Sequence, residues 1–322
     1  MIKCGVIGLG RFGRLHALTL LTLENVHLTA VVARRQESVD KLLEEIPSTT
    51  GYTNLDTAIE QSGATAWIVA CTTSQHVSVA QKLLEAGHHV LLEKPIANDL
   101  KEAERLAPLV KGDSSNLMLG HILLFNSEFK ALRQEASGRP ELTHMDAVRH
   151  RPASIVHDFE GENPLHAAMV HDLYCAQALT NAEEPRSFSC QYHLTTNGQI
   201  DLANAQLIWP SGFLARFSAS YMTPAGMPPR GFDRMELFGE GWAARLSPNP
   251  RPIQIWNDEQ AQWPLALEIT ADETGATGMM IEEQRCFLRV ITGEQMVPIG
   301  ARYQDGLQLQ RWMNELDRIA IR

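Results

Sequence analysis

The stretch Gly8-Leu9-Gly10-Arg11-Phe12-Gly13 constrains this chain most, because of what surrounds it. An apolar run, Ile2 to Ile7, leads into it, and an amphipathic run from Phe12 to Glu24 leaves it. Strand, glycine turn and helix in that order form a phosphate cradle. Gly8 permits the tight turn, Gly10 lets the backbone approach a pyrophosphate, and Gly13 lets the helix pack closely on the strand. The first helical N–H groups then point at the phosphates, aided by the helix dipole. Gly8, Leu9, Gly10, Arg11, Phe12 and Gly13 are thus expected to bind a dinucleotide.

The next hundred residues repeat the β-α alternation. Strand-like runs occur at 26–33, 51–53, 66–71, 88–93 and 116–120, with helical patterns at 37–46, 55–61, 75–86 and 99–110. Ser74 reads as the N-cap of the third of these helices and Gly87 as its stop. Continuous apolar strands separated by helices imply a parallel sheet covered on both faces. Residues 1–121 therefore read as a Rossmann domain.

Past residue 122 the texture changes. A helical piece at 127–137 precedes runs of period-two alternation at 142–150, 186–195, 200–209 and 213–221, with shorter ones at 234–238 and 253–256. A helix at 165–179 intervenes, and two more, 279–291 and 303–319, end the chain. The expected fold class is α/β: an N-terminal Rossmann domain, then an α+β domain (122–322) with an open, mostly antiparallel sheet. The Pro/Gly-rich segment 223–231 reads as a long loop. Trp209, Phe213, Phe217, Met222 and Trp242 are expected in the core or at an interface. A homo-oligomer, dimer or tetramer, is expected through the second sheet.

Charge and cysteine usage limit the partners. A net charge of −10 argues against nucleic acid, which needs clustered Lys and Arg. No apolar stretch approaches a membrane span. The five cysteines are scattered without a C-x-x-C pair, and the chain runs straight into its first strand, leaving no room for a signal peptide. A cytoplasmic protein is expected. His166, His171 and Asp172 do not space like metal ligands, so no metal is expected.

The second strand ends in Ala33-Arg34-Arg35, where a carboxylate would hold the ribose 2′-hydroxyl of NAD. Guanidinium groups there suit a 2′-phosphate, so NADP(H) is favoured over NAD(H). Glu93-Lys94-Pro95 closes the fifth strand at the edge of the sheet where ligands bind.

Together with Ser74-Gln75-His76, Glu85 through Val90, Gly120-His121-Ile122 and the antiparallel second half, Glu93-Lys94-Pro95 closely resembles the Gfo/Idh/MocA oxidoreductase family. The resemblance implies an NAD(P)-dependent dehydrogenase or reductase. Such an enzyme interconverts a secondary alcohol and a ketone, or a hemiacetal and a lactone, on a small polyhydroxylated or sugar-like substrate. It implies that Lys94 polarises or protonates the reacting oxygen, and that His171, in Met169-Val170-His171-Asp172-Leu173, assists. Cys71, Thr72, Thr73, His76, Glu93 and Lys94 would line the nicotinamide side. Lys94, His121, Asn126, His166 and His171 would contact substrate. The chain departs from the family in carrying Ala167, where many relatives have Asp, and Leu124, where an Arg usually precedes Phe125. The same fold also serves as a non-catalytic dinucleotide-binding regulator, an alternative that Ala167 keeps open.

Overall fold

The computed structural model describes residues 1–139, 141–157, 162–227, 231–249, 255–256, 261–262, 269–272 and 275–322. Residues 228–230 of the expected loop and 253–254 of an expected strand lie outside the described residues.

The first sheet is built from β1 (Ile2–Ile7), β2 (Val26–Val32), β3 (Thr50–Tyr52), β4 (Ala66–Val69), β5 (His89–Glu93) and β6 (Leu117–Gly120). All six run parallel in the order β3-β2-β1-β4-β5-β6. The order reverses between β1 and β4, and a crevice at such a switch point is where open α/β sheets bind ligands. The helices between these strands are α1 (Arg11–Leu20), α2 (Gln36–Leu43), α3 (Leu55–Gln61), α4 (Thr73–Glu85) and α5 (Leu100–Glu104). Apolar strands covered on both faces form the core, with Trp67, Val69, Val90, Leu92, Leu117 and Leu119 buried.

Helices α1, α2 and α5 stop short of the sequence expectation, α1 and α5 for readable reasons. In α1 the Thr19 and Thr22 hydroxyls bond to the carbonyls of Leu15 and Thr19, competing with the helical ladder. Beyond α5, Pro108 removes a donor and the chain continues as turns to Val110. The N-cap of α4 is Thr72 rather than Ser74. Gly87 ends the helix as expected: its φ is 81°, and His88 N–H closes on the Leu83 carbonyl at 3.0 Å.

The chain forms two compact units: Met1–Phe125 with Glu268–Gln310, and Asn126–Leu267 with Arg311–Arg322. The sequence places one boundary at 121/122 and nothing beyond it. The structure divides at Phe125/Asn126 and returns the chain to the first unit. A 3-10 turn, Ile122–Phe125, lies between β6 and α6 (Ser127–Ser137).

The second unit is organised by a mixed sheet of β7 (Leu142–Pro152), β8 (Ser187–Leu194), β9 (Ile200–Ile208), β10 (Leu214–Thr223), β11 (Phe232–Gly239) and β12 (Trp242–Asn249). Its order is β12-β11-β7-β10-β9-β8, antiparallel except for the central β7–β10 pair. Between β7 and β8 comes a π-helical turn, Leu165–Met169, that runs into α7 (Val170–Leu179). Two short pairs follow: β13 (Ile255–Trp256) with β14 (Ala261–Gln262), and β15 (Ile269–Asp272) with β16 (Gly275–Gly278). Finally α8 (Met279–Ile291) belongs to the first unit, whereas α9 (Tyr303–Ile319) spans the division.

Period-two burial puts Met145, Ala147, Phe217, Ala219, Met235 and Leu237 on the inner face of the second sheet. Trp209 and Phe213 are also core, and Trp209 meets Trp312 edge to face. The outer face carries a charge ladder, with Val148, Leu202, Leu214 and Phe238 among its partly exposed apolar residues. Asp146 bonds Arg216 and Arg234, and Glu236 pairs with Arg234 and Arg245. Three of the five residues that suggested an interface, Trp209, Phe213 and Phe217, are therefore interior.

Candidate active site

The three glycines of the loop do different work. Gly8 has φ of 90°, and a Cβ there would stand 2.4 Å from the Cys71 backbone nitrogen. A Cβ on Gly13 would stand 1.6 Å from the Gly8 carbonyl oxygen. Both glycines are therefore demanded by the protein's own packing. Nothing lies within 4 Å of a Cβ on Gly10. Folding does not need a glycine at that position, while a close-approaching ligand does. Helix α1 begins there with no side-chain cap and no acidic residue in its first turn, leaving its N–H groups to an anion. The residues thus fit a pyrophosphate.

Gly10→Ala is expected to preserve the melting temperature while lowering dinucleotide affinity at least tenfold. Gly13→Ala is expected to destabilise the fold itself. Thermal melts beside fluorescence titration separate the two outcomes.

The loop after β4 touches the glycine loop, and His76 ties it to the loop after β5. The His76 Nε2 lies 3.0 Å from the Cys71 carbonyl, and Nδ1 lies 2.7 Å from that of Pro95. The ring is almost wholly buried, which pushes its pKa down. His76 was expected against the nicotinamide. The structure makes it a brace between two backbone loops, its one ring N–H donating to one of the two carbonyls while the other ring nitrogen lies against the second. Lys94, partly exposed, follows the buried end of β5, and its peptide to Pro95 is cis. Glu93 accepts from His16 Nε2 at 2.9 Å and from the Lys94 backbone N–H at 3.3 Å. Gly120 makes room for that carboxylate, since a Cβ there would stand 3.1 Å from Glu93 Cδ. Cys71, half-buried, has its thiol pushed up to about 11 by burial.

Arg34 and Arg35 are exposed at the end of β2, and neither joins an ion pair among the described residues. The positive charge of Arg34 reaches Cys71, beside Gly8.

Two expected substrate contacts, His121 and Asn126, lie in the interior. His121 is 2% exposed, its Nδ1 is bonded to the Gly300 carbonyl, and burial pushes its pKa down to about 4. It is a neutral, interior residue. Asn126 is also 2% exposed, and its side-chain oxygen accepts from Phe129 N–H as the N-cap of α6. An Asn three residues before a helical apolar residue is the signal that foretold a cap.

In the second unit, His171 Nδ1 lies 2.8 Å from the Tyr174 hydroxyl. The next residue, Asp172, anchors the helix. Its carboxylate takes a bidentate grip from Arg149 at 2.8 and 3.1 Å. Arg149 also bonds Asp233 at 2.8 Å, and Asp233 binds Arg151. Burial alone would lower the pKa of Arg149, but the two carboxylates more than offset it and hold it charged. Two arginines and two aspartates make a neutral buried cluster spanning β7, β11 and α7. Nothing in the sequence spacing pairs Asp172 with Arg149, Arg151 or Asp233.

His166 Nε2 pairs with Asp317 at 2.6 Å, and the Tyr192 hydroxyl donates to the other oxygen of the same carboxylate. His166 sits in the π-turn, where Val170 N–H reaches back to the Leu165 carbonyl. Such i→i+5 winding brings residues five apart closer to one side than an α-helix does, and π-turns concentrate at functional sites. Ala167 beside it is buried.

The chain is similar to several known proteins. Residues 2–121 match the Gfo/Idh/MocA model, described as an oxidoreductase family with an NAD-binding Rossmann fold. The UDP-N-acetylglucosamine 3-dehydrogenase of Acidithiobacillus ferrooxidans is 28% identical over 233 residues, covering 68% of this chain and 67% of that protein. The myo-inositol 2-dehydrogenase of Thermotoga maritima is 24% identical over 247 residues, 74% of this chain and 73% of that one. The crystal structure of scyllo-inositol dehydrogenase from Lactobacillus casei, with bound NAD(H) and scyllo-inositol, shares the fold. Its TM-score is 0.82 at 18% identity, over 99% of this chain and 97% of that one. The Rossmann part of the chain, residues 2–121, is that of the Gfo/Idh/MocA oxidoreductase family.

Proposed function

We propose that this oxidoreductase interconverts a secondary alcohol and a ketone, or a hemiacetal and a lactone, on a small polyhydroxylated or sugar-like molecule. The observation that carries the reading is the join of Gly8, Cys71, His76 and Pro95 at the switch point of the first sheet. Lys94 immediately precedes Pro95 in that join, and Gly10 of the cradle is not required by folding. The relatives named for inositol and for a sugar nucleotide support the polyol class.

When bound, the nicotinamide supplies or accepts the hydride. Gly8 through Gly13 hold the pyrophosphate. Cys71, Thr72 and Thr73 flank the nicotinamide, and Glu93 orients the turn that carries Lys94. The Lys94 ammonium stabilises the alkoxide that develops as hydride leaves the carbinol carbon. His171, held by the Tyr174 hydroxyl, takes the hydroxyl proton in oxidation and returns it in reduction. His166, oriented by Asp317, contacts a substrate hydroxyl. No helix among the described residues is long and apolar enough to cross a membrane. A cytoplasmic homo-oligomer remains part of this reading, with the charged outer face of the second sheet as its contact.

Arg34 and Arg35 favour NADP(H). The matching family model is described as NAD-binding, and it is the paired arginines that argue for a 2′-phosphate in this chain. NADPH is expected to bind tighter than NADH. Arg34→Ala is expected to lower NADPH affinity about tenfold to a hundredfold, the worth of one charge-assisted hydrogen bond, and to leave NADH nearly unaffected. Parallel fluorescence titrations measure this. Equal loss for both cofactors, or tighter NADH binding to the unaltered protein, would remove the arginine argument.

A further inference from the structure

Below the glycine loop, two buried carboxylates face each other with too few donors. Glu283 on α8 is 0% exposed, and neither of its carboxylate oxygens has a hydrogen-bond partner among the described residues. It faces Glu93 at the end of β5 and His16 on α1. One ligand-capable atom from each of the three lies within 4.8 Å of the others. An unpaired carboxylate in such a place is prohibitively unfavourable, so it is neutralised by a cation or by a proton.

The His16 ring decides between them. The side-chain Nε2 of Gln284 lies 3.0 Å from the His16 backbone carbonyl, which can only accept. That nitrogen is therefore the amide NH2, and it also faces His16 Nδ1 at 3.1 Å. Nδ1 accepts, so the ring proton sits on Nε2 and points at Glu93 Oε1. Nε2 has no lone pair left for a metal. With the histidine withdrawn from the donor set, a proton is the simpler neutraliser of the two remaining carboxylates.

We propose that Glu283 is a neutral carboxylic acid in the folded protein, a positioning residue that leaves the Glu93–Glu283 pair a single negative charge behind Lys94. A second charge would repel Glu93 from the site that His16 holds. Burial, then the charge of Glu93, push the Glu283 carboxyl well above its usual range. The consequence for Lys94 rests on the function proposed above, but the protonation itself is measured without substrate, so the two fail separately.

The sign follows from linkage. A carboxyl whose folded pKa is raised binds a proton that the unfolded chain releases, so stability falls as pH rises from the unfolded pKa, about 4.3, to the folded one. Glu283→Gln removes that slope. Its folding equilibrium constant, from urea denaturation, is expected to gain on the unaltered protein by about tenfold per pH unit between about pH 5 and pH 7. The infrared difference between the two proteins is expected to show a protonated-carboxyl carbonyl band at neutral pH, absent from the variant. Parallel stability profiles without that band would overturn the proposal. So would a stoichiometric metal that a chelator strips from the unaltered protein. Should the variant fail to fold, 13C-carboxyl NMR of the unaltered protein serves. One glutamate retaining its protonated shift at neutral pH supports the proposal, and all glutamates ionised overturns it.

Discussion

Lys94→Ala is expected to lower turnover by about a thousandfold, within the range seen for removing a positioned proton-transfer or oxyanion-stabilising group. The lysine is asked to stabilise charge only as the carbinol oxygen becomes an alkoxide, so kcat should fall much more than KM rises. Dinucleotide affinity should change by less than tenfold, because the pyrophosphate is held by backbone of the glycine loop. Steady-state kinetics on the polyol that the unaltered enzyme oxidises, with cofactor titration alongside, measures both quantities. Affinity that falls as far as turnover would make Lys94 a cofactor-binding residue and move the chemistry elsewhere.

The second large effect concerns stability. Asp172→Ala leaves Arg149 buried with half its partners and turns a neutral cluster into one with an excess positive charge. Breaking a buried pair from one side costs about 3–5 kcal/mol. For a protein of this size that is a fall in melting temperature of roughly 10 °C. Asp172→Asn keeps part of the hydrogen bonding and is expected to lose less. Because His171 precedes Asp172 on α7, activity should fall in both variants even below their melting temperatures. A melting temperature unchanged in Asp172→Ala would mean that the cluster does not hold the helix.

Much of this was legible in the sequence, and the exceptions have physical reasons. The glycine loop, the apolar strands and the amphipathic periods placed nearly every element, and helices α3, α6, α8 and α9 match their expected limits. These signals are local, one residue speaking for its neighbours. Long-range pairings are not local. Arg149 meets Asp172 and Asp233 across gaps of 23 and 84 residues, and nothing in the spacing announces it. For the same reason the amphipathic face of α8 was visible, but not which unit it would cover.

Two buried polar residues carry a signal in the sequence itself. Asn126 has the position of an N-cap, which outweighs its resemblance to a ligand. In α8, Met280, Glu283, Gln284 and Phe287 fall at helical spacing on one face, and that face is buried. Glu283 sits in the polar run 282–285, yet its periodicity places it on the buried face. His121 and His76 show the converse: polar residues close to a motif whose rings lie against backbone carbonyls, a long-range pairing that spacing does not announce.

Whether the chain turns over a polyol at all is tested most directly by the redox state of its nicotinamide. The purified protein is incubated with NADP+ and, separately, with NAD+, each against a panel of inositols, sugars and sugar nucleotides, and nicotinamide absorbance is followed. Reduction with at least one panel member, absent in Lys94→Ala, is the predicted result. Tight dinucleotide binding with no change of redox state on any member would contradict it and leave a dinucleotide-binding regulator on the same fold.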